Sequence, residues 1–100
     1  MEQLVRDFLR GQNLEQLGRI DAAAELYERA VAGRFDAAGP YDRLIFIYQG
    51  RGMHREVIRV AEASLACVRT YPAKREWYEA RIDEASRALE ALPAPRPRSS

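Results

Sequence analysis

The sequence predicts an all-α fold in which two helical hairpins are followed by a fifth, capping helix. Apolar residues recur at helical spacing through most of the chain, and no segment alternates like a strand over a strand's length. Gly18 and Gly52, 34 residues apart, each stand between two helix-length segments. Residues 1–92 are therefore predicted to form one helical domain. Residues 93–100, rich in Pro, Arg and Ser, are predicted to form a disordered tail.

The first predicted helix spans residues 3–17 and ends at the turn formed by Gly18. Gly11 interrupts this helix at a cost of about 1 kcal/mol relative to alanine, so we expect another element to pack closely against it. The helix also carries apolar residues at helical spacing, which are Leu4, Val5, Phe8, Leu9, Leu14 and Leu17.

The second predicted helix starts with Asp21 as its N-cap and runs to residue 32. Ala23, Tyr27 and Ala30 follow one another at steps of four and three, so they share one face of this helix. Two small residues beside a tyrosine indicate that a partner helix approaches closely and that the Tyr27 ring fills the gap. We therefore expect Tyr27 to be buried.

Three further helices are predicted at residues 40–52, 54–71 and 73–92. Pro40 suits the first position of the third helix. The fourth helix is expected to turn inward Val57, Ile58, Val60, Ala61, Ser64, Leu65 and Val68. The fifth helix carries an apolar stripe that is expected to cover the open end of the second hairpin, formed by Tyr78, Ile82, Ala85, Leu89 and Leu92.

The two hairpins correspond to each other residue by residue at an offset of 34. Leu14, Ala23 and Leu26 match Tyr48, Val57 and Val60 at this offset. In both hairpins we expect small residues where the two helices cross and large residues, mostly aromatic, beside them. The residues that fit this pattern are Gly11, Ala23, Tyr27 and Ala30 in the first hairpin, and Tyr41, Leu44 and Tyr48 in the second. With this pattern the chain resembles the tetratricopeptide repeat (TPR) family over about residues 4–71, with residues 72–92 as a capping helix.

The resemblance implies a TPR-like α-α superhelix. The alternative is a plain bundle of five helices without superhelical stacking.

Catalytic and metal-binding constellations are not visible in the sequence. His54 and Cys67 are the only residues of their types, and thirteen helical residues would separate them by about 20 Å. One histidine and one cysteine are too few for a usual zinc site. We therefore predict a protein that is not an enzyme and that needs no cofactor or metal.

Charge and composition indicate the kind of partner. Sixteen basic and fifteen acidic residues leave a formal net charge of +1, which favours neither nucleic acid nor an acidic membrane as a partner. The N-terminus lacks the pattern of a signal peptide, no stretch is apolar enough to span a membrane, and Cys67 is the only cysteine. These features predict a cytoplasmic protein.

The resemblance implies a non-catalytic module for protein–protein interaction, which binds a peptide or helix in a concave groove. In such arrays the first helix of each hairpin lines the concave side. The positions that the resemblance places there are Phe8, Gln12, Glu15, Asp42, Phe46, Gln49, Glu76 and Asp83. An alternative role for Phe8 and Phe46 is simple packing between hairpins.

Arg43 is a further candidate for the groove. Some members of the family bind the C-terminal carboxylate of a chaperone peptide through lysine, asparagine and arginine. The matching positions here are Phe8, Gln12, Arg43, Ala73 and Trp77. Only Arg43 could serve, so the sequence does not predict that carboxylate clamp.

Two other functions remain open at the level of sequence. The chain could be a self-associating scaffold or a subunit of a larger assembly, with a weak homodimer formed through Trp77 and Tyr78. It could also bind RNA like related helical repeats, although its nearly neutral charge and its 34-residue period disfavour this.

Overall fold

The computed structural model describes residues 2–69 and 72–92, which contain five α-helices and no strand. The helices are α1 (Glu2–Gln16), α2 (Ile20–Ala32), α3 (Gly39–Gly50), α4 (His54–Cys67) and α5 (Pro72–Ala91). The predicted all-α class is thus confirmed. Among these helices none is both long enough and apolar enough to cross a lipid bilayer. The predicted tail at 93–100 lies outside the described residues.

Helices that follow one another in the chain pack against one another. α1 packs on α2, α2 on α3, α3 on α4 and α4 on α5, and α2 also contacts α4. The chain therefore forms two hairpins, α1–α2 and α3–α4, with α5 against the second.

The turns of the two hairpins have the same backbone structure. Gly18 and Gly52 have φ values of +79° and +68°, in the left-handed region that glycine adopts without steric cost. In each turn the amide after the glycine donates a hydrogen bond of 2.9 Å to the carbonyl four residues before the glycine. The glycine amide itself donates to the carbonyl three residues before it in both turns. The predicted equivalence of the two turns is confirmed.

A close contact between α1 and α2 lies at the centre of the first hairpin. Tyr27, Ala23 and Ala30 are fully buried, as their spacing predicts. A Cβ atom placed on Gly11 would lie only 2.7 Å from Cε1 of Tyr27. The glycine is therefore required by the approach of the Tyr27 ring, and it determines which stripe of α1 faces α2.

The close packing expected at Gly11 is found, but not every apolar residue of α1 is buried. Val5, Leu9 and Leu17 are exposed, whereas Asp7 and Gly11 are buried. The reason is the contact at Gly11, because helices that approach this closely bury the stripe that contains the smallest residue. Asp7 lies one turn before Gly11 and accepts a hydrogen bond of 2.9 Å from the Gln3 side chain.

Two helix ends also differ from prediction. The N-cap of α2 is Arg19 and not Asp21, which lies inside the first turn and pairs with Arg51 at 2.7 Å. The fourth helix ends at Cys67 rather than at residue 71, because Val68 adopts an extended conformation with ψ of 127°.

The capping helix covers the second hairpin with most of its predicted stripe. Tyr78 and Ala85 are buried, and Ile82 and Leu89 are half-buried. Leu92, at the end of the stripe, is 58% exposed. The rotation of α5 about its axis is therefore set by Tyr78 and Ala85.

Replacing Gly11 by alanine is expected to destabilise the protein. The new methyl group would press on a fully buried ring, and overpacking of this kind costs about 1–3 kcal/mol. Gly50→Ala is the matched control, because a Cβ there would have no neighbour within 4 Å. Urea denaturation should give a free energy of unfolding that is about 1–3 kcal/mol lower for Gly11→Ala than for Gly50→Ala. Equal stability of the two variants would show that the helices are not in close contact at Gly11.

Candidate partner-binding face

Side chains on one side of the molecule connect α1, α3 and α5. Arg43 of α3 forms an ion pair with Glu15 of α1. Lys74 of α5 forms an ion pair with Asp42 of α3, with a distance of 2.7 Å between Nζ and Oδ2. We call this surface the odd-helix face, and its residues are Gln12, Glu15, Gln16, Asp42, Arg43, Phe46, Lys74, Trp77 and Arg81.

The first part of the odd-helix face is polar. Gln12, Glu15, Gln16 and Arg43 line an open cavity of about 330 Å³ between α1 and α3. Its lining offers amide, carboxylate and guanidinium groups, so this part of the face can form hydrogen bonds with a ligand.

Glu15 is held in the wall of this cavity by two residues. It accepts a hydrogen bond of 2.7 Å from the Tyr27 hydroxyl, one of 3.0 Å from Nε of Arg43, and a further one from Nη2 of Arg43. The hydrogen bonds from Arg43 lower the pKa of Glu15 below its ordinary value of 4.5, although burial opposes this. Burial, followed by the hydrogen bond to Glu15, raises the pKa of Tyr27. Both groups therefore keep one charge state at neutral pH.

Asp42 is held in a similar way, one hairpin further along. It accepts hydrogen bonds of 2.7 Å from the Tyr78 hydroxyl and from Nζ of Lys74, one on each carboxylate oxygen. Burial, followed by the hydrogen bond to Asp42, raises the pKa of Tyr78. Glu15 and Asp42 thus each bind a buried tyrosine and a cation from the next odd-numbered helix.

The second part of the odd-helix face is aromatic. Phe46 is 51% exposed, and its ring centroid lies 6.1 Å from that of the half-buried Trp77. Three cations lie against these rings: Arg43 at 5.4 Å from the centroid of Phe46, and Lys74 and Arg81 at 4.3 and 5.0 Å from the Trp77 ring. Cation–π contacts of this kind stabilise the rings and cations in this arrangement, each by about 0.5–1 kcal/mol at exposed sites.

The polar and aromatic parts occupy corresponding positions of the repeat. Gln12 and Phe46 are 34 residues apart, and so are Arg43 and Trp77. Gln12 and Arg43, on α1 and α3, therefore correspond to Phe46 and Trp77, on α3 and α5. The first pair is polar and the second pair is aromatic. Arg43 belongs to both parts, because it pairs with Glu15 and lies over Phe46.

Of the predicted groove residues, Gln12, Glu15, Asp42, Arg43 and Phe46 lie on the odd-helix face. Phe8 does not line the polar cavity. Its half-buried ring packs against Tyr27 and Phe35, with centroid distances of 5.9 and 6.3 Å, and directly against Gly39. Phe8 thus has the alternative role of packing between the hairpins.

The predicted groove residues of α5 lie on a different side of that helix. Glu76 and Asp83 are exposed and lie about 100° and 120° around α5 from Trp77, and Asp83 pairs with Arg87. Gln49 is exposed and reaches α5 through a contact of 3.4 Å with Glu84.

Lys74 and Arg81 were missed by the sequence reasoning. A signal for both was present in the sequence, because they lie three residues before and four residues after Trp77, on the same side of a helix.

The two residues predicted to mediate self-association differ in accessibility. Tyr78 is fully buried, so its side chain offers no surface to a second copy in this conformation. Trp77 is half-buried against Phe46 of α3 and retains part of its surface.

Comparisons with known proteins find no family model, no curated protein and no solved structure that matches this chain. Within residues 2–69 and 72–92, no group of three or more His, Cys, Asp or Glu side chains is arranged to hold a metal ion. His54 and Cys67 lie at opposite ends of α4, about 20 Å apart along its axis.

The ion pair of Glu15 is expected to make stability depend on pH. Because the pKa of Glu15 is lowered in the folded state, the carboxylate stabilises the fold above about pH 4.5, and this contribution is lost as the pH falls through the folded-state pKa. Glu15→Gln should therefore be less stable than wild type at pH 7, and the difference should shrink below pH 4.5. Urea denaturation between pH 7 and pH 3 measures it.

Glu79→Gln is the control for this measurement, because Glu79 is an exposed carboxylate on α5. It measures the effect of removing a carboxylate that is not held by a cation and a tyrosine as Glu15 is. A stability difference for Glu15→Gln that changes with pH no more than that for Glu79→Gln would contradict the stabilising role of the ionised Glu15.

Proposed function

We propose that this protein is a non-catalytic interaction module whose odd-helix face binds a segment of a partner protein, and that its five helices are arranged as a TPR-like array. The observation that carries the proposal is an aromatic surface next to the polar cavity. It is formed by the half-exposed Phe46 and the partly exposed Trp77, and three cations contact these two rings. The 34-residue correspondence and the matching turns at Gly18 and Gly52 support the repeat arrangement.

Large aromatic side chains on a surface are a common feature of binding sites. Phe46 is half exposed in the middle of α3, between residues whose side chains are buried. Trp and Arg are enriched among residues that contribute most to binding energy, and aromatic side chains provide large contact areas. Phe46, Trp77 and Arg43 together offer such a contact area on one side of the molecule.

The side chains of the odd-helix face also contact one another in the absence of a ligand. Glu15 and Asp42 each hold a cation and a tyrosine, and the cations in turn pack on Phe46 and Trp77. A partner that binds fixed side chains loses less conformational entropy on binding. The partner segment would pack an apolar side chain on the aromatic part and form hydrogen bonds in the polar part.

Self-association is the second candidate, and the exposed part of Trp77 is the feature that favours it. Light scattering at several concentrations on wild type and Trp77→Ala separates the two candidates. A stable dimer that is lost in the variant would favour self-association, and a monomer in both proteins would favour binding of a different partner.

Peptide display tests the proposed function directly. A library of random peptides of about twelve residues would be selected against the purified protein, and single peptides would be measured by the fluorescence of Trp77, the only tryptophan. Phe46→Ser should weaken binding about tenfold or more, because it removes a central aromatic contact.

Leu92→Ser is the matched control for this test. Leu92 is 58% exposed and lies directly after α5, where it lines an open cavity together with Met53 and His54. Its replacement should leave peptide affinity unchanged. Peptides that bind Phe46→Ser as tightly as wild type would show that the odd-helix face is not the binding site.

A further inference from the structure

We infer that the partner segment carries an acidic side chain close to an aromatic or large aliphatic side chain. This inference rests on the proposed function and specifies the chemistry of the ligand. It follows from the hydrogen-bonding groups that are still free on the odd-helix face.

The carboxylates of this face are already paired with cations. Glu15 accepts hydrogen bonds from Tyr27 and Arg43, and its charge is paired with that of Arg43. Asp42 accepts hydrogen bonds from Tyr78 and Lys74, and its charge is paired with that of Lys74. A basic ligand would therefore meet carboxylates whose charge is already compensated.

The guanidinium groups of the same face retain donors. Arg43 uses Nε and Nη2 on Glu15, and Nη1 forms no hydrogen bond with any residue of 2–69 or 72–92. Arg81 donates from Nη2 to Glu84 at 2.9 Å, and its Nη1 forms no hydrogen bond with any described residue, whereas its Nε is buried and out of reach of a ligand. Nη1 of Arg43 and Nη1 of Arg81 are therefore the donors that remain for a ligand.

The free donors lie beside the aromatic surface. Arg43 lies over Phe46, Arg81 lies 5.0 Å from the Trp77 ring, and the two rings are in contact. A ligand side chain that packs on Phe46 would thus bring the neighbouring residues of its own chain near both guanidinium groups. Carboxylates bind guanidinium groups through strong charge-assisted hydrogen bonds, so an acidic residue is the best complement there.

The composition of selected peptides tests this inference. In a display selection against wild type, the enriched sequences should carry Asp or Glu within about two residues of an aromatic or large aliphatic residue, more often than the starting library. The tightest peptide and its version with Gln in place of Glu, or Asn in place of Asp, would then be measured on two variants of α5.

Arg81→Gln should lower the affinity for the acidic peptide about tenfold. Neutralising the acidic residue of the peptide should then lower its affinity for this variant little further. Arg87→Gln is the matched control, because Arg87 lies on α5, is 77% exposed in its side chain and pairs with Asp83. It should bind the peptide like wild type. Circular dichroism would verify that both variants keep the helix content of wild type.

The possible results separate the two proposals. Enriched peptides without acidic residues, or peptides that bind Arg81→Gln as tightly as wild type, would overturn the inference. If the same peptides bind Phe46→Ser more weakly than wild type, the proposed function still holds. Affinity independent of Phe46 would overturn the proposed function itself. A single-stranded RNA oligonucleotide that binds and is weakened by Arg81→Gln would overturn the inference in favour of a phosphate ligand.

Discussion

The contact between Gly11 and the ring of Tyr27 is the constraint on which the binding face depends. Since Gly11 has no side chain, α1 and α2 approach closely enough for the Tyr27 hydroxyl to reach Glu15. Glu15 then holds Arg43 of the next hairpin, and Arg43 lies over Phe46. The contact of Gly11 with Tyr27 in the core of the first hairpin thus determines where surface side chains of α1 and α3 lie.

The helices and turns could be predicted because their signals are local. Apolar spacing marks the helices, and the short turn of each hairpin uses the left-handed conformation that Gly18 and Gly52 adopt. Hydrophobicity alone could not separate the exposed Val5, Leu9 and Leu17 from the other apolar residues of α1. The buried stripe is set by the closest approach of α2, and Gly11, where close packing was expected, is the one residue of α1 that indicated this approach in the sequence.

The candidate site was predictable on the hairpins and less so on α5. The resemblance placed Glu15 and Phe46 on one surface, because α1 and α3 occur in the same context within a hairpin. Adding 34 to the positions of Asp42 and Gln49 predicted Glu76 and Asp83 on α5, but these two residues lie on a different side of that helix from Trp77. α5 has no second helix of its own, and the packing of Tyr78 and Ala85 on α4 sets its rotation. A count along the chain contains no information about that rotation.

The packing of each helix mainly on its neighbours in the chain has a consequence for local opening. α1 and α5 stand at the two ends of this order, so each packs mainly on one neighbouring helix, and their amides are expected to exchange hydrogen with solvent first. Both end helices carry part of the odd-helix face, and detachment of either would dismantle it without global unfolding. A ligand that contacts both α1 and α5 would therefore stabilise both end helices in their packed positions, so that binding would be coupled to the folding of these helices.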